Sequence, residues 1–123
     1  PSAADVPVEG ALGVPGATVE VAQQVARLAP FGAGNDEPVF VLSRARVVRA
    51  DRVGKEGGTV RAFLEGEGGG PRLKAICFRA KEGPLAAALL GGGHLHLAGH
   101  LRAESWNDSV SACLHVVDAA PVG

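Results

Sequence analysis

The order of five strand-like segments, with one helix among them, limits this chain to a few folds. Apolar and polar residues alternate over 39–53, 59–65, 72–79, 94–103 and 110–117. Residues 82–90, between the third and fourth segments, are rich in Ala and Leu and end at three glycines, which predicts a short helix. This succession predicts a mainly β domain, a five-stranded OB-fold Greek-key barrel with one helix between its third and fourth strands. A small open sandwich or another five-stranded barrel is the alternative.

A segment dense in proline and glycine, residues 30–38, separates these strands from a short amphipathic helix that Thr18 can cap. Two prolines, two glycines and an asparagine cannot continue that helix. We interpret the segment as a turn that carries Phe31 and Phe40 into the core. The alternative is that backbone N–H groups of this segment form a nest that binds an anion. Its only support is the pattern Gly-x-Gly, which is weak by itself.

Composition divides the chain into three parts. The composition of residues 1–17 predicts an extended leader, either a linker or the end of a preceding domain. Residues 18–38 are expected to form the connecting helix and corner, and residues 39–121 the barrel. The absence of an initial methionine suggests a fragment. No apolar run approaches the ~20 residues that cross a membrane, and no signal-peptide pattern opens the chain, so we expect a cytoplasmic protein without a membrane partner. Cys77 and Cys113 are expected as buried thiols, with a disulfide as the alternative.

The net charge of −1 conceals a basic middle third. Residues 1–40 carry one base and five acids, residues 41–81 carry ten bases and four acids, and residues 82–123 carry one base and four acids. Such a block is typical of a polyanion-binding face, and a solvated strand surface is the alternative.

Basic and aromatic residues on the predicted strands and adjoining loops form a candidate nucleic-acid-binding face. OB-folds bind oligonucleotides through strands two and three, and through the loops between strands one and two and between strands four and five. Cations there follow phosphates, and an exposed ring contributes ~1–3 kcal/mol per stacked base. We predict these nucleic-acid-binding residues: Arg44, Arg46, Lys55, Arg61, Phe63, Arg72, Lys74, Trp106 and Asn107. Arg49 and Arg79 belong to the same basic cluster. The sequence does not decide whether Phe78 lies on this face or in the core.

Catalytic and metal-binding patterns are weak. His94, His96 and His100 share one strand face, with Cys113 and His115 on the neighbouring strand. The outer two histidines are ~20 Å apart, so only neighbouring pairs could share an ion. We therefore predict a polar outer face and no metal site, with a metal-dependent enzyme as a remote alternative. No nucleophile elbow, Cys–His signature or paired-carboxylate motif occurs, and no catalytic residue is predicted.

Four segments follow the pattern of one family. Residues 28–40, Leu-Ala-Pro-Phe-Gly-Ala-Gly-Asn-Asp-Glu-Pro-Val-Phe, resemble the segment LEPFGxGNPEPVF of the RecJ family of single-stranded-DNA-specific exonucleases, which joins a connecting helix to a C-terminal OB domain. Weaker resemblances are residues 73–78 to LxAIxF, residues 97–108 to VAGxLxxNxWNG and residues 110–118 to xVQLxVxDI. The resemblance covers about residues 18–121. Asp36 and Asp108 depart from the family's proline and glycine, which alters loop shape only.

The resemblance implies a single-stranded-DNA-binding module of a 5′→3′ exonuclease that acts in DNA repair and recombination. The Asp-His-His motif and the glycine-rich DHHA1 signature of the family's nuclease centre are missing from this sequence. The resemblance thus implies that DHH and DHHA1 domains of a parent hydrolase cut the strand with Mn²⁺ or Mg²⁺, and that this segment alone holds no cofactor. Implied partners are single-stranded DNA, those two domains, and a single-strand-binding protein or helicase. The alternative function is a protein-docking barrel, in the same enzyme or in a stand-alone OB protein.

Overall fold

Five long strands close into a barrel in which each strand is hydrogen-bonded to two others. The structure is a computed structural model, and it describes residues 10–78, 80 and 83–122. The strands are β1 (Gly10–Leu12), β2 (Phe40–Val53), β3 (Thr59–Gly66), β4 (Gly69–Cys77), β5 (Gly93–Trp106) and β6 (Ser109–Pro121). The helices are α1 (Val19–Ala26) and α2 (Pro84–Leu90), with 3₁₀ turns at Val14–Gly16 and Lys55–Gly57.

The barrel closes because β2 is long enough to pair with two neighbours. Its first half runs antiparallel to β5, with Phe40 opposite Gly99, and its second half runs antiparallel to β3, with Asp51 opposite Arg61. β4 pairs with β6 in parallel, and β5 and β6 form a long antiparallel pair. With α2 between β4 and β5, this order confirms the predicted OB-fold.

Side chains alternate between the core and the surface as predicted. In β3, Val60, Ala62 and Leu64 are buried, while Arg61 and Phe63 face outward. The same pattern buries alternate residues of β4 and β5. Each fully buried Val or Leu contributes roughly 1.5–3 kcal/mol. The intervening side chains therefore form an outer surface whose geometry is set by strand pairing.

A bulge in β2 interrupts this alternation at Arg44. The register with β5 shifts between Leu42 and Ala45, and Arg44 has a φ of 54°. The Arg44 N–H donates to Nδ1 of His96 at 3.1 Å, which replaces the lost ladder bond. Arg44 is exposed at this bulge and lines a depression with Glu67 and His94, separate from the one that Arg49 lines.

The proline- and glycine-rich corner is a tight turn pinned by Asn35. Gly32 and Asn35 exchange two backbone hydrogen bonds of 2.9 and 3.0 Å, and the Asn35 side chain donates to the carbonyls of Leu28 and Pro30. The N–H groups of Gly32 and Asn35 are thus committed to carbonyls rather than offered to an anion. Phe40 is fully buried, as the turn interpretation expects.

Glu37 ties the corner to β5. Its carboxylate accepts a bidentate hydrogen bond from the Arg102 guanidinium, with Nη2 2.7 Å from Oε1. His100 lies beside this pair, with its Nδ1 3.0 Å from the Pro38 carbonyl oxygen. Burial raises the pKa of Glu37, but the bond to Arg102 and the positive charges of His100 and Arg102 outweigh it and hold the pKa below its ordinary 4.5.

Glu37→Gln should lower the free energy of unfolding by about 1 kcal/mol at neutral pH, a figure reduced for solvent screening because Arg102 is half exposed. The pKa of Glu37 is lower in the folded than in the unfolded chain. The stabilisation is therefore complete above pH 4.5 and is lost as the pH falls through the folded value. Urea unfolding at neutral and acid pH measures the difference in the free energy of unfolding between the wild type and Glu37→Gln. Glu67→Gln, at an exposed position, is the control. A difference that persists or grows in acid would contradict a stabilising role of the Glu37–Arg102 pair.

Two local features differ from expectation. Residues 10–16 form β1, parallel to the start of β2, and a 3₁₀ turn whose Val14 is buried; neither was predicted, and residues 1–9 lie outside the described residues. The segment between the predicted strands 94–103 and 110–117 contains a turn of only two residues. Asn107 and Asp108 make it with φ of 47° and 63°, so Trp106 ends β5 instead of lying in a loop.

Candidate nucleic-acid interface

Strand register brings Phe63 and Lys74 together on the outer face of the barrel. Phe63 of β3 lies opposite Lys74 of β4, and Lys74 in turn lies opposite Cys113 of β6. Arg49 of β2 continues this row, because it lies opposite Phe63. A cation, a ring and a second cation therefore lie side by side across three strands.

Two adjoining depressions run along this face. One, of about 460 Å³, is lined by Arg49, Phe63, Arg72, Lys74, Ser111 and Ala112. The other, of about 630 Å³, is lined by Lys74, Glu104, Ser105, Trp106 and Ser111. Because both are lined by Lys74 and Ser111, the two depressions adjoin at these residues, and we call the surface from Arg49 to Trp106 the Lys74 groove.

Three aromatic rings lie on the outer surface. Trp106 is 78% exposed at one end of the Lys74 groove, and Phe63 is half-buried at the other. Phe78 is 57% exposed, and its ring meets that of His115 edge-on at 5.3 Å. Phe78, whose position the sequence left open, belongs to the outer face rather than to the core.

Acidic side chains pair with several of the basic ones. Lys74 Nζ lies 2.7 Å from Glu104 Oε1, and this bond raises the pKa of Lys74. Arg72 lies 3.2 Å from Glu65, which also faces Arg46 at 3.8 Å. The groove thus presents cations whose charges are partly balanced on the surface.

Arg61 is held beside the groove by Asp51. Its guanidinium is 3.3 Å from the Asp51 carboxylate, and its central carbon lies 5.8 Å from the centre of the Phe63 ring. Arg49 approaches the same carboxylate at 4.0 Å. These contacts orient Arg61 over Phe63 but also engage part of its charge.

Of the nine predicted nucleic-acid-binding residues, the groove lining contains four: Phe63, Arg72, Lys74 and Trp106. Arg46 and Arg61 adjoin it through their acidic partners, and Asn107 follows Trp106 in the turn. Two residues lie elsewhere: Arg44 lines a separate depression with Glu67 and His94, and Lys55 is exposed in the 3₁₀ turn between β2 and β3. Arg79 lies outside the described residues. Prediction omitted Ser111, which joins the groove's two halves.

Comparison with known proteins identifies the family. The family model of the RecJ OB domain matches residues 8–118. The chain belongs to the RecJ OB domain family. A search of curated proteins gives no match.

Solved structures of RecJ share the fold of this RecJ OB domain. RecJ from Thermus thermophilus in complex with Mn²⁺ has a TM-score of 0.62 and 24% identity, over 93% of this chain and 15% of that chain. RecJ from the same organism in complex with Mg²⁺ has a TM-score of 0.55 and 24% identity, over 82% and 14%. The chain therefore spans only 14–15% of the length of these RecJ chains.

The metal donors of this RecJ OB domain do not suit Mn²⁺ or Mg²⁺. Among the described residues, Glu104, Cys113 and His115 form the group of three donors that could hold an ion. Mg²⁺ and Mn²⁺ prefer oxygen ligands, and this group offers one carboxylate beside a thiol and an imidazole. His96 and His100, part of the predicted histidine face, instead contact the Arg44 N–H and the Pro38 carbonyl.

No helix among the described residues of this RecJ OB domain is long and apolar enough to span a bilayer.

Proposed function

We propose that this RecJ OB domain binds single-stranded DNA along the Lys74 groove. The observation that carries the proposal is the position of Trp106, a largely exposed indole at one end of the Lys74 groove, which continues past Lys74 to Phe63. An exposed aromatic side chain offers a stacking surface to an unpaired base. A duplex hides the faces of its bases, so this arrangement favours a single strand.

Cations along the groove would contact the phosphates between stacked bases. Arg49, Arg72 and Lys74 line the groove, and Ser111 adds a hydroxyl near its middle. Side chains of this kind bind the backbone without reading bases, so binding would be independent of sequence and weakened by salt. A phosphate that binds Lys74 would compete with Glu104, which holds the ammonium in the free protein.

In the parent enzyme, this domain would hold the strand for a 5′→3′ exonuclease of cytoplasmic DNA repair and recombination. DHH and DHHA1 domains would supply the hydrolysis, with Mn²⁺ or Mg²⁺ bound in those domains. Family membership supports this arrangement, as does the small share of the Thermus RecJ chains that the domain covers.

Titration of a labelled oligo(dT) at two salt concentrations tests the proposal. We expect saturable binding at low salt, a linear fall of log affinity with log salt, and weak competition by a duplex of the same length. An absence of binding at low salt contradicts the proposal, and so does binding that salt does not weaken.

Lys74→Gln should weaken oligo(dT) binding roughly three- to tenfold at low salt, because one phosphate contact is lost. The slope of log affinity against log salt should become less steep by about 0.7, the value for one contact on a single strand. Fluorescence anisotropy at several salt concentrations measures both. Arg27→Gln, which removes an exposed cation at the end of α1, should change neither. If Lys74→Gln leaves the slope of log affinity against log salt unchanged, then no phosphate of the strand contacts Lys74.

A docking barrel is the rival function, and an apolar depression favours it. This surface lies on the outer side of β2, β5 and β6 and is lined mainly by Val41, Leu97, Ala98, Ala119 and Ala120. It would bind the catalytic domains of the parent, or a single-strand-binding protein or helicase. On this view, Arg61→Glu and Lys74→Glu leave oligo(dT) binding intact, while Val41→Glu, within the apolar depression, disturbs docking, which separates the two functions.

A further inference from the structure

A thiol, a carboxylate and an imidazole meet on the outer face between β5 and β6. Cys113 and His115 belong to β6, and Glu104 belongs to the neighbouring stretch of β5. One donor atom from each lies within 4.8 Å of the other two. We call these three residues the Glu104 cluster. It borders the Lys74 groove through Glu104.

Cys113 differs from the other cysteine in its surroundings. Cys77 is a member of the main apolar cluster, whereas Cys113 is fully buried but lies outside that cluster. The neighbours of Cys113 in the β6 sequence, Ala112 and Leu114, point into the core, so its thiol lies on the outer side beneath Lys74 and Glu104. A buried thiol that faces Lys74 and Glu104, outside the main apolar cluster, is placed to act as a ligand.

The protonation states of the cluster define what an ion must displace. Burial and the Glu104 charge raise the pKa of Cys113 to about 12, so the thiol is protonated and hydrogen-bonded to Glu104. Burial and the charge of Arg102 lower the pKa of His115, which leaves a neutral imidazole at neutral pH. Glu104 also accepts from Lys74. One thiol proton and one ammonium therefore occupy the positions that a cation would take.

We propose that Glu104, Cys113 and His115 bind a thiophilic divalent cation of the Zn²⁺ class. Thiolate, imidazole and carboxylate are the donors that Zn²⁺ takes in a four-coordinate site, and three protein ligands leave one position for solvent. On binding, the Cys113 thiol releases its proton to the buffer, and Glu104 exchanges the Lys74 ammonium for the ion. Lys74 would then be free in the groove. The other facing cation, Arg102, is already balanced by Glu37.

Titration of the reduced protein with Cd²⁺ tests the site, because a thiolate ligand gives a charge-transfer absorption band. We expect a band that saturates at one ion per chain and that Zn²⁺ competes away. Cys113→Ser should abolish it, while His115→Asn and Glu104→Gln should weaken the affinity at least ~tenfold. Cys77→Ala and His94→Asn, which leave the cluster intact, should bind as the wild type does.

Lys74→Gln supplies an independent readout, since it removes the ammonium that competes for Glu104. It should bind Cd²⁺ at least as tightly as the wild type, although it binds DNA less well. Far-ultraviolet circular dichroism of each variant shows whether it is folded. Three results would overturn the site: the wild type shows no band, folded Cys113→Ser keeps the band, or Lys74→Gln loses it. None of these results bears on DNA binding.

Discussion

Trp106→Ala should reduce the affinity for oligo(dT) by roughly 5- to 150-fold, the equivalent of ~1–3 kcal/mol for one lost base-stacking contact. Because Trp106 is mostly exposed at the end of β5, its removal leaves no cavity in the core, and the free energy of unfolding should stay within about 0.5 kcal/mol of the wild type. Anisotropy of a labelled strand measures the affinity, and urea unfolding measures the stability.

Two variants show whether the loss comes from stacking. Trp106→Phe keeps an aromatic face and should recover most of the affinity, while Val117→Ala removes another exposed apolar side chain and should change nothing. Equal affinities for Trp106→Ala and the wild type would remove the ring from the proposed interface. A loss that Val117→Ala reproduces would mean that exposed apolar area, not stacking, is responsible.

Gly99→Ala should destabilise the barrel by about 1–3 kcal/mol. A Cβ at this position would overlap the His115 carbonyl oxygen and lie 2.9 Å from the carbonyl carbon. Both are backbone atoms of β6, at the point where the β5–β6 register shifts, so a side-chain rotation cannot relieve the clash. The two strands must separate locally, which weakens the longest pairing in the barrel. Thermal and urea unfolding measure the loss.

Gly68→Ala is the matched control for this substitution. Gly68 lies in the turn between β3 and β4, and nothing lies within 4 Å of the position its Cβ would take. Its stability should stay within about 0.5 kcal/mol of the wild type. If Gly99→Ala is as stable as Gly68→Ala, then β5 and β6 are not as close as the structure places them.

Local alternation was enough to locate the barrel strands, because period two is a property of each strand by itself. Val60, Ala62 and Leu64 are buried as the pattern predicts, and the helix before the fourth barrel strand follows from Pro84 and the glycines after it. β1 could not be found this way. It is three residues long and exists because β2 offers a free edge, which is a tertiary property.

The groove depends on pairing between segments that are distant in sequence. Lys74 meets Cys113 only because β4 and β6 run parallel after the barrel closes, and the same contact places Glu104 beside Lys74. Composition showed that cations were concentrated in the middle third but could not show which would be balanced by acids. Arg44 lies at a bulge in β2, and no proline or glycine in the neighbouring sequence indicates that bulge.

The intrinsic fluorescence of Trp106 tests the central claim most directly, because Trp106 is the only tryptophan in the chain. Adding unlabelled oligo(dT) at low salt should quench it saturably, and raising the salt should restore the emission as the strand dissociates. Emission that stays constant while a labelled strand binds would show that DNA contacts this domain away from Trp106, and the Lys74 groove would not be its path.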